Sequence, residues 1–298
     1  ISFDSMGPIG VFDSGYGGLT ILQDIKKQLP AYDFLYLGDN ARAPYGTRSF
    51  DVVYEFTLEA VTELFNRGCE LVILACNTSS ANALRSIQQN DLKMIGPDKR
   101  VLGVIRPSTE IIGDLTKSNS VGLLATEGTV SSNSYVIEVK KYSPSTKIYQ
   151  QACPMWVPLI ESNKQNSHTG REFIREDVEN LLKKDPKMDV IVLGCTHYPI
   201  IKDYIQSIVP DHVKVISQGN IVAERVLDYL NRHPKIESKC SKSATSTYLT
   251  TESTDEFDTN ASYYIGEKIL TLYGRYYFVI MTTVLLLIQE VQGVADMK

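Results

Sequence analysis

Short apolar runs alternate with amphipathic stretches along most of this 298-residue chain, and that rhythm restricts its fold more than any other feature. Strand-like runs fall at 8–12, 34–37, 70–75, 101–105, 121–125, 147–151, 190–193 and 213–216. Between them, helical patterning covers 19–28, 50–66, 78–89, 109–117, 130–141, 171–184, 200–208 and 221–231. In the 50–66 stretch, Val53, Phe56, Ala60, Val61 and Leu64 share one face, and Gly68 follows as a stop. Strands separated by helices of this length cannot close as hairpins, so each crosses over and pairs parallel. The pattern predicts an α/β fold with parallel sheets covered by helices on both faces. The polar, Ser/Lys-rich stretch 235–247 reads as a surface loop.

One internal echo suggests how the chain is divided. Leu71-Val-Ile-Leu-Ala-Cys-Asn-Thr78 and Val190-Ile-Val-Leu-Gly-Cys-Thr-His197 share a design: four apolar strand residues, a small residue, a cysteine, then two polar residues before a helix. At roughly 150 residues per domain, the length allows about two domains. Two similar three-layer α/β domains with mostly parallel sheets, facing each other across a central cleft, account for both length and echo.

Parallel sheets bind ligands beyond the carboxyl ends of their strands, where helix N-termini offer free N–H groups suited to anions. Asp13-Ser14, Cys76-Asn77-Thr78 and Cys195-Thr196-His197 all fall at such points. The field of a helix N-terminus lowers a thiol's pKa, which makes Cys76 and Cys195 candidate reactive groups. Taken singly, each residue has a plainer role. Cys69, Cys153 and Cys240 suit small buried hydrophobes; Asp13, Asn77, Thr78 and Thr196 suit helix caps; His197 suits a structural histidine. The repeated context is what favours chemistry at Cys76 and Cys195, with His197 as a base or orienting group.

Several chemistries fit poorly. Gly15-Tyr-Gly-Gly18 matches neither the dinucleotide nor the triphosphate fingerprint. Without a CxxC pair, a zinc site from Cys76, Cys195 and His197 has weak support. A Cys-His hydrolase would leave one cysteine motif unused. With 30 basic against 35 acidic residues the net charge is -5, opposite to what holding nucleic acid requires. Five widely spaced cysteines imply no disulfide framework. No signal peptide is visible, residues before Met6 read as a remnant, and a reducing, cytoplasmic setting is expected. Two thiols on opposed halves suit inversion of a stereocentre through a carbanion, with a base on one face and an acid on the other.

The chain resembles the cofactor-independent glutamate racemases of the aspartate/glutamate racemase family over roughly residues 6–270. Five motifs carry the resemblance: Gly10-Val-Phe-Asp-Ser-Gly-Tyr-Gly-Gly-Leu19, Tyr36-Leu-Gly-Asp-Asn-Ala-Arg-Ala-Pro-Tyr-Gly46, Ala75-Cys-Asn-Thr-Ser79, Ala125-Thr-Glu-Gly-Thr129 and Leu193-Gly-Cys-Thr-His-Tyr-Pro199. It implies interconversion of L- and D-glutamate, supplying D-glutamate for peptidoglycan, with no metal, pyridoxal phosphate or nucleotide. Cys76 and Cys195 match the two acid/base thiols. Asp13 matches the carboxylate that assists the first; Glu161 (in Pro158-Leu-Ile-Glu161) and His197 match the groups beside the second. Asp13, Ser14, Tyr45, Gly46, Asn77, Thr78, Thr196 and His197 match substrate contacts. The expected first domain joins residues 1–98 and 211–270, the second spans 99–210, and a homodimer is expected. An aspartate or related acidic amino-acid racemase, and a non-catalytic amino-acid-binding protein, are the alternatives.

Two features depart from the family. Arg106 stands where an acidic residue usually precedes the proline of a Gly-Val-Ile-x-Pro segment; a place near the cleft mouth is expected for it. Residues 271–298 form an atypical apolar C-terminal tail. Its run 276–288 is too short to span a bilayer, for which about 20 residues are needed, and is expected to lie as a peripheral helix.

Overall fold

The computed structural model describes residues 6–266, so the expectations for the tail and for residues before Met6 lie outside the described residues. The strands β1 (Ile9–Asp13), β2 (Phe34–Gly38), β3 (Leu71–Leu74), β4 (Arg100–Gly103) and β9 (Ser246–Thr250) form one sheet in the order β4-β3-β1-β2-β9. The strands β5 (Ser120–Ala125), β6 (Lys147–Ala152), β7 (Val190–Gly194) and β8 (Lys214–Ile216) form a second, in the order β6-β5-β7-β8. Every pairing between these strands is parallel.

Burial follows position in the sheet. β1, β3, β5 and β7 are buried along their whole length, as strands covered on both faces must be, while the edge strands β4, β6 and β9 are partly exposed. Alternation sorts side chains to two faces. In the five-stranded sheet, Ile9, Val11, Tyr36 and Ile73 pack on helices α1 (Gly18–Gln28) and α10 (Gly219–Arg232). From its other face, Phe12, Leu37, Val72 and Leu74 meet α2 (Phe50–Asn66). The four-stranded sheet is covered in the same way, with Ile191 and Leu193 on one face and Val190 and Val192 on the other. The expected α/β architecture of two three-layer units is what the chain forms.

Sheet membership moves the expected domain limits. β4 belongs to the five-stranded sheet, although it lies within the 99–210 expected for the second domain, and β8 belongs to the four-stranded sheet, although it lies within the 211–270 expected for the first. The chain crosses between the units only after each of these strands. A strand's sequence shows that it will pair but not with which partner. Helix limits shift too: the stretch expected from 109 begins at Ile105 as α4 (Ile105–Leu115), with Pro107 tolerated in the first turn.

The sequence reading holds no strand at β9: Ser246 and Thr247 fall in the stretch 235–247 read as a loop, and Tyr248, Leu249 and Thr250 follow it without a reading of their own. Its place is fixed by Asp33, which accepts hydrogen bonds from Ser243 N (3.0 Å), Thr245 N (2.9 Å) and Thr245 Oγ1 (2.7 Å) and so holds the connection entering the strand. Burial opposes charge on this carboxyl, but the bonds from Ser241, Thr245 and Ser243 outweigh it and hold the pKa down to about 2. A depressed carboxyl stabilises the fold above its unfolded value near ~3.9, and that contribution is lost as pH falls toward the folded value. Asp33→Ala should therefore cost about 2 kcal/mol in urea denaturation at neutral pH, as expected for hydrogen bonds to a charged group. The gap from wild type should close as the acid range is entered. A gap independent of pH would show that the charge is not what anchors β9.

Candidate active site

In each sheet the winding reverses beside one strand. The chain goes from β1 to β2 on one side and puts β3 on the other; likewise β5 leads to β6 and is flanked by β7. Such reversals open a crevice between neighbouring strand ends. The first crevice therefore receives Asp13-Ser14 from β1 and Cys76 from β3. The second receives Thr126 from β5 and Cys195 from β7.

The two crevices meet. Cys76, Cys195, Ser14, Tyr45, Gly46, Asn77, Thr78, Thr196, His197 and Glu161 line one slot, joined by Ala43, Pro44, Thr126 and Val157. The slot holds about 20 Å³, room for roughly one water. Thr78 Oγ1 and Thr126 Oγ1 lie 2.9 Å apart across it, and Gly128 N donates to Gly46 O at 2.8 Å. Glycine is required where the walls touch: a Cβ on Gly17 would stand 2.2 Å from Thr196 Oγ1 and 2.5 Å from His197 Nδ1. Thr126 was missed as a site residue, although its motif carried the signal: it follows a strand and caps a helix as Cys76 does.

The surroundings of the two thiols differ. Cys76 is 5% exposed; its thiol donates to Ser14 Oγ at 3.6 Å and accepts from Ser79 N at 3.4 Å. Burial, then the Asp13 carboxylate, push this thiol up to about 11 against those two hydrogen bonds. The expected lowering by a helix N-terminus is thus overturned at Cys76: its helix, α3 (Asn77–Asn82), is a single short piece, and desolvation outweighs it. Asp13, fully buried behind the slot, accepts from Gly15 N (3.0 Å) and Thr196 Oγ1 (3.4 Å). Burial also raises its carboxyl, opposed chiefly by His197.

At the second thiol, His197 Nδ1 lies 3.9 Å from Cys195 Sγ, and Nε2 lies 3.0 Å from Glu161 Oε1. Burial works against a charged imidazole here, but the contacts with Cys195 and Glu161 prevail and lift it to about 10. His197 is therefore a cation held between a sulfur and a carboxylate. Among the described residues, no lysine or arginine lines the slot. Among the described residues, no three His, Cys, Asp or Glu side chains are grouped so as to hold a metal ion.

Two expected contacts are used differently. The Tyr45 hydroxyl donates to the buried Asp39, and both ends of the Asn77 amide are bonded to other side chains. What these two offer the slot is therefore backbone and ring, not a free polar head. Arg106 is not at the cleft mouth. It lies with Arg85, Lys141 and Arg225 along a separate groove of about 760 Å³, exposed and paired with Glu110 at 2.9 Å. That groove is far larger than the slot but contains neither thiol.

Comparison with known proteins agrees with this geometry. Residues 9–226 match the Asp/Glu/hydantoin racemase family. The glutamate racemase of Roseobacter denitrificans is 39% identical over 271 residues, covering 88% of this chain and 97% of that protein. The glutamate racemase of Streptococcus thermophilus is 34% identical over 262 residues, covering 88% and 93%. The crystal structure of a glutamate racemase isoform from Bacillus anthracis superposes with a TM-score of 0.80 at 30% identity, covering 89% of this chain and 96% of that one. That of the Francisella tularensis glutamate racemase in complex with D-glutamate gives 0.79 at 29% identity, over 93% and 99%. With two strand-end cysteines meeting in one slot, and this likeness along nearly the whole described chain, the protein belongs to the Asp/Glu/hydantoin racemase family.

Proposed function

We propose that this protein is a glutamate racemase that needs no cofactor and moves the α-proton between two thiols, Cys76 and Cys195. The reading rests on one arrangement: each α/β unit delivers a single cysteine to the same slot, one from β3 and one from β7. An α-carbon between them has a proton carrier on each face. One thiolate removes the proton, the opposite thiol returns one, and the carbon inverts. The resting charges suit this division of labour. Cys76 is held as a thiol beside Asp13, ready to give a proton. At Cys195, the His197 cation offers a positive partner to charge developing on Sγ, and Glu161 holds that cation in place.

The slot also suits a dicarboxylate. Ser14 Oγ accepts from Cys76 and keeps its own proton to give, the hydroxyls of Thr78, Thr126 and Thr196 can turn from their present partners toward a ligand, and helix N-termini supply N–H groups, so two carboxylates bind without a lysine or arginine clamp. Glutamate is preferred to aspartate because the relatives with this motif set are glutamate racemases. Glutamate is larger than the slot, so the two units part to admit it and close to exclude water. The free, buried cysteines suit a reducing cytoplasm, where such an enzyme supplies D-glutamate for peptidoglycan. Among the described residues no helix is long and apolar enough to cross a membrane.

Circular dichroism of L-glutamate should decay toward zero with the enzyme present. Cys76→Ala and Cys195→Ala should each lower kcat at least ~100-fold, the scale of one proton-transfer partner. Near-normal turnover in either variant would remove that thiol from the mechanism. Under the same assay, kcat/KM for aspartate should fall well below that for glutamate; an equal or higher value would reassign the substrate.

The charge on His197 gives a third expectation. Its proton is held by Cys195 and by Glu161 together, and it is lost as pH rises through the raised value of about 10. Glu161→Gln removes its share of that support, so the alkaline limb of kcat/KM should move to lower pH, by about 1 unit or more. A limb that stays in place would mean that His197 does not govern it.

A further inference from the structure

Behind the slot lies a closed ring of hydrogen bonds with no part yet in the proposed reaction. Gln218 Nε2 donates to Tyr135 Oη at 2.7 Å, Tyr135 Oη donates to Asn77 Oδ1 at 2.7 Å, and Asn77 Nδ2 donates to Gln218 Oε1 at 2.8 Å. The second proton of Gln218 Nε2 goes to Ser108 Oγ at 2.8 Å, with Val104 O also near at 3.2 Å. Asn77, Ser108, Tyr135 and Gln218 are all at most 2% exposed. Each ring member donates and accepts, so the bonds polarise one another in a low dielectric, and the loss of any one strands buried partners.

The location of the ring matters more than its strength. Asn77 follows Cys76 directly and opens α3 in the five-stranded unit. Tyr135 lies on the helix α6 (Ser134–Tyr142), which packs on the four-stranded sheet. Ser108 lies on α4, just past β4, where the chain first leaves the five-stranded unit. Gln218 lies between β8 and α10, where the chain returns. One side chain thus bonds both crossings and both units, and reaches the backbone carrying Cys76 through a single amide.

We infer that Gln218 is a positioning residue that ties the setting of Cys76 to the relative placement of the two α/β units. The inference rests on the two-thiol reading above. When the units part to admit substrate, the ring is what brings Cys76 back to one setting on closure. Among the described residues Cys195 shares no hydrogen bond with the ring, whose Tyr135 only lies near enough to feel its charge, so disturbing Gln218 acts chiefly on Cys76.

Gln218→Met keeps the length of the side chain and removes every bond it makes. Tyr135→Phe removes a single hydroxyl, and serves where the first variant folds poorly. Each should lower kcat for glutamate by about tenfold to a hundredfold, the scale of a small misplacement of a reacting group. The double variant should be little worse than the poorer single one, since both break the same ring. In D2O, the enantiomer deprotonated by Cys195 should exchange its α-proton faster than it racemises, because the carbanion forms but meets a misplaced Cys76, and while it waits the proton on Cys195 exchanges for solvent deuterium, which is then returned to the same face. The other enantiomer should show no such excess. A purely structural role would lower both processes together for both enantiomers. A kcat within twofold of wild type, or an unchanged exchange-to-racemisation ratio despite a lower kcat, would overturn the inference. A wild-type enzyme inert toward glutamate would overturn the two-thiol reading and this inference with it.

Discussion

A parallel strand ends at the carboxyl edge of its sheet, and where the winding reverses beside it no crossover helix covers that edge. β1 and β3 end beside one such gap, and β5 and β7 beside another. Two units set with their gaps together leave a narrow space walled by strand ends, with helix N-termini aimed into it. Placing a cysteine at the end of one strand in each unit then brings two thiols to one small volume from opposite sides. The glycines serve this closeness: Gly17 lets the first loop lie against Thr196 and His197, and Gly46 lets the second lie against Thr126.

Dryness makes the two thiols unequal. Removing water raises the cost of charge at Cys76 and Asp13 together, so that thiol keeps its proton. At Cys195 the same low dielectric strengthens the contacts that hold a proton on His197, and burial loses to them. One side thus rests as an acid and the other rests beside a cation. A racemase must exchange these roles in the reverse direction. In the two-thiol reading, the proton on either sulfur is replaced from solvent between successive turnovers in one direction.

Much of this was legible in the residues. The eight strands read from the sequence all form; β1, β3, β5 and β7 stand out as uninterrupted apolar runs because they are buried throughout, while the edge strands β4, β6 and β8 are legible only from their place in the alternation with helices. The site residues were legible through the echo at Cys76 and Cys195 and through the motifs around them. What escaped notice depended on pairing in space. β9 is a short edge strand of mixed polarity whose position is set by Asp33, more than two hundred residues away. Thr126 entered the slot because of where β5 sits beside β7. Gln218 and Tyr135 look like ordinary polar residues until the fold closes a ring through Asn77. Arg106 was expected at the cleft, but the turn of α4 carries it to the other groove.

If two different thiols serve the two faces of one carbon, the isotope content of the first turnovers reveals it. When the enzyme acts on L-glutamate in D2O, D-glutamate should form with deuterium at the α-carbon, while unreacted L-glutamate keeps its proton. The reverse reaction should give the mirror result. D-glutamate that retains the original α-proton would mean that one group carries the proton across both faces, and would rule out a separate thiol for each.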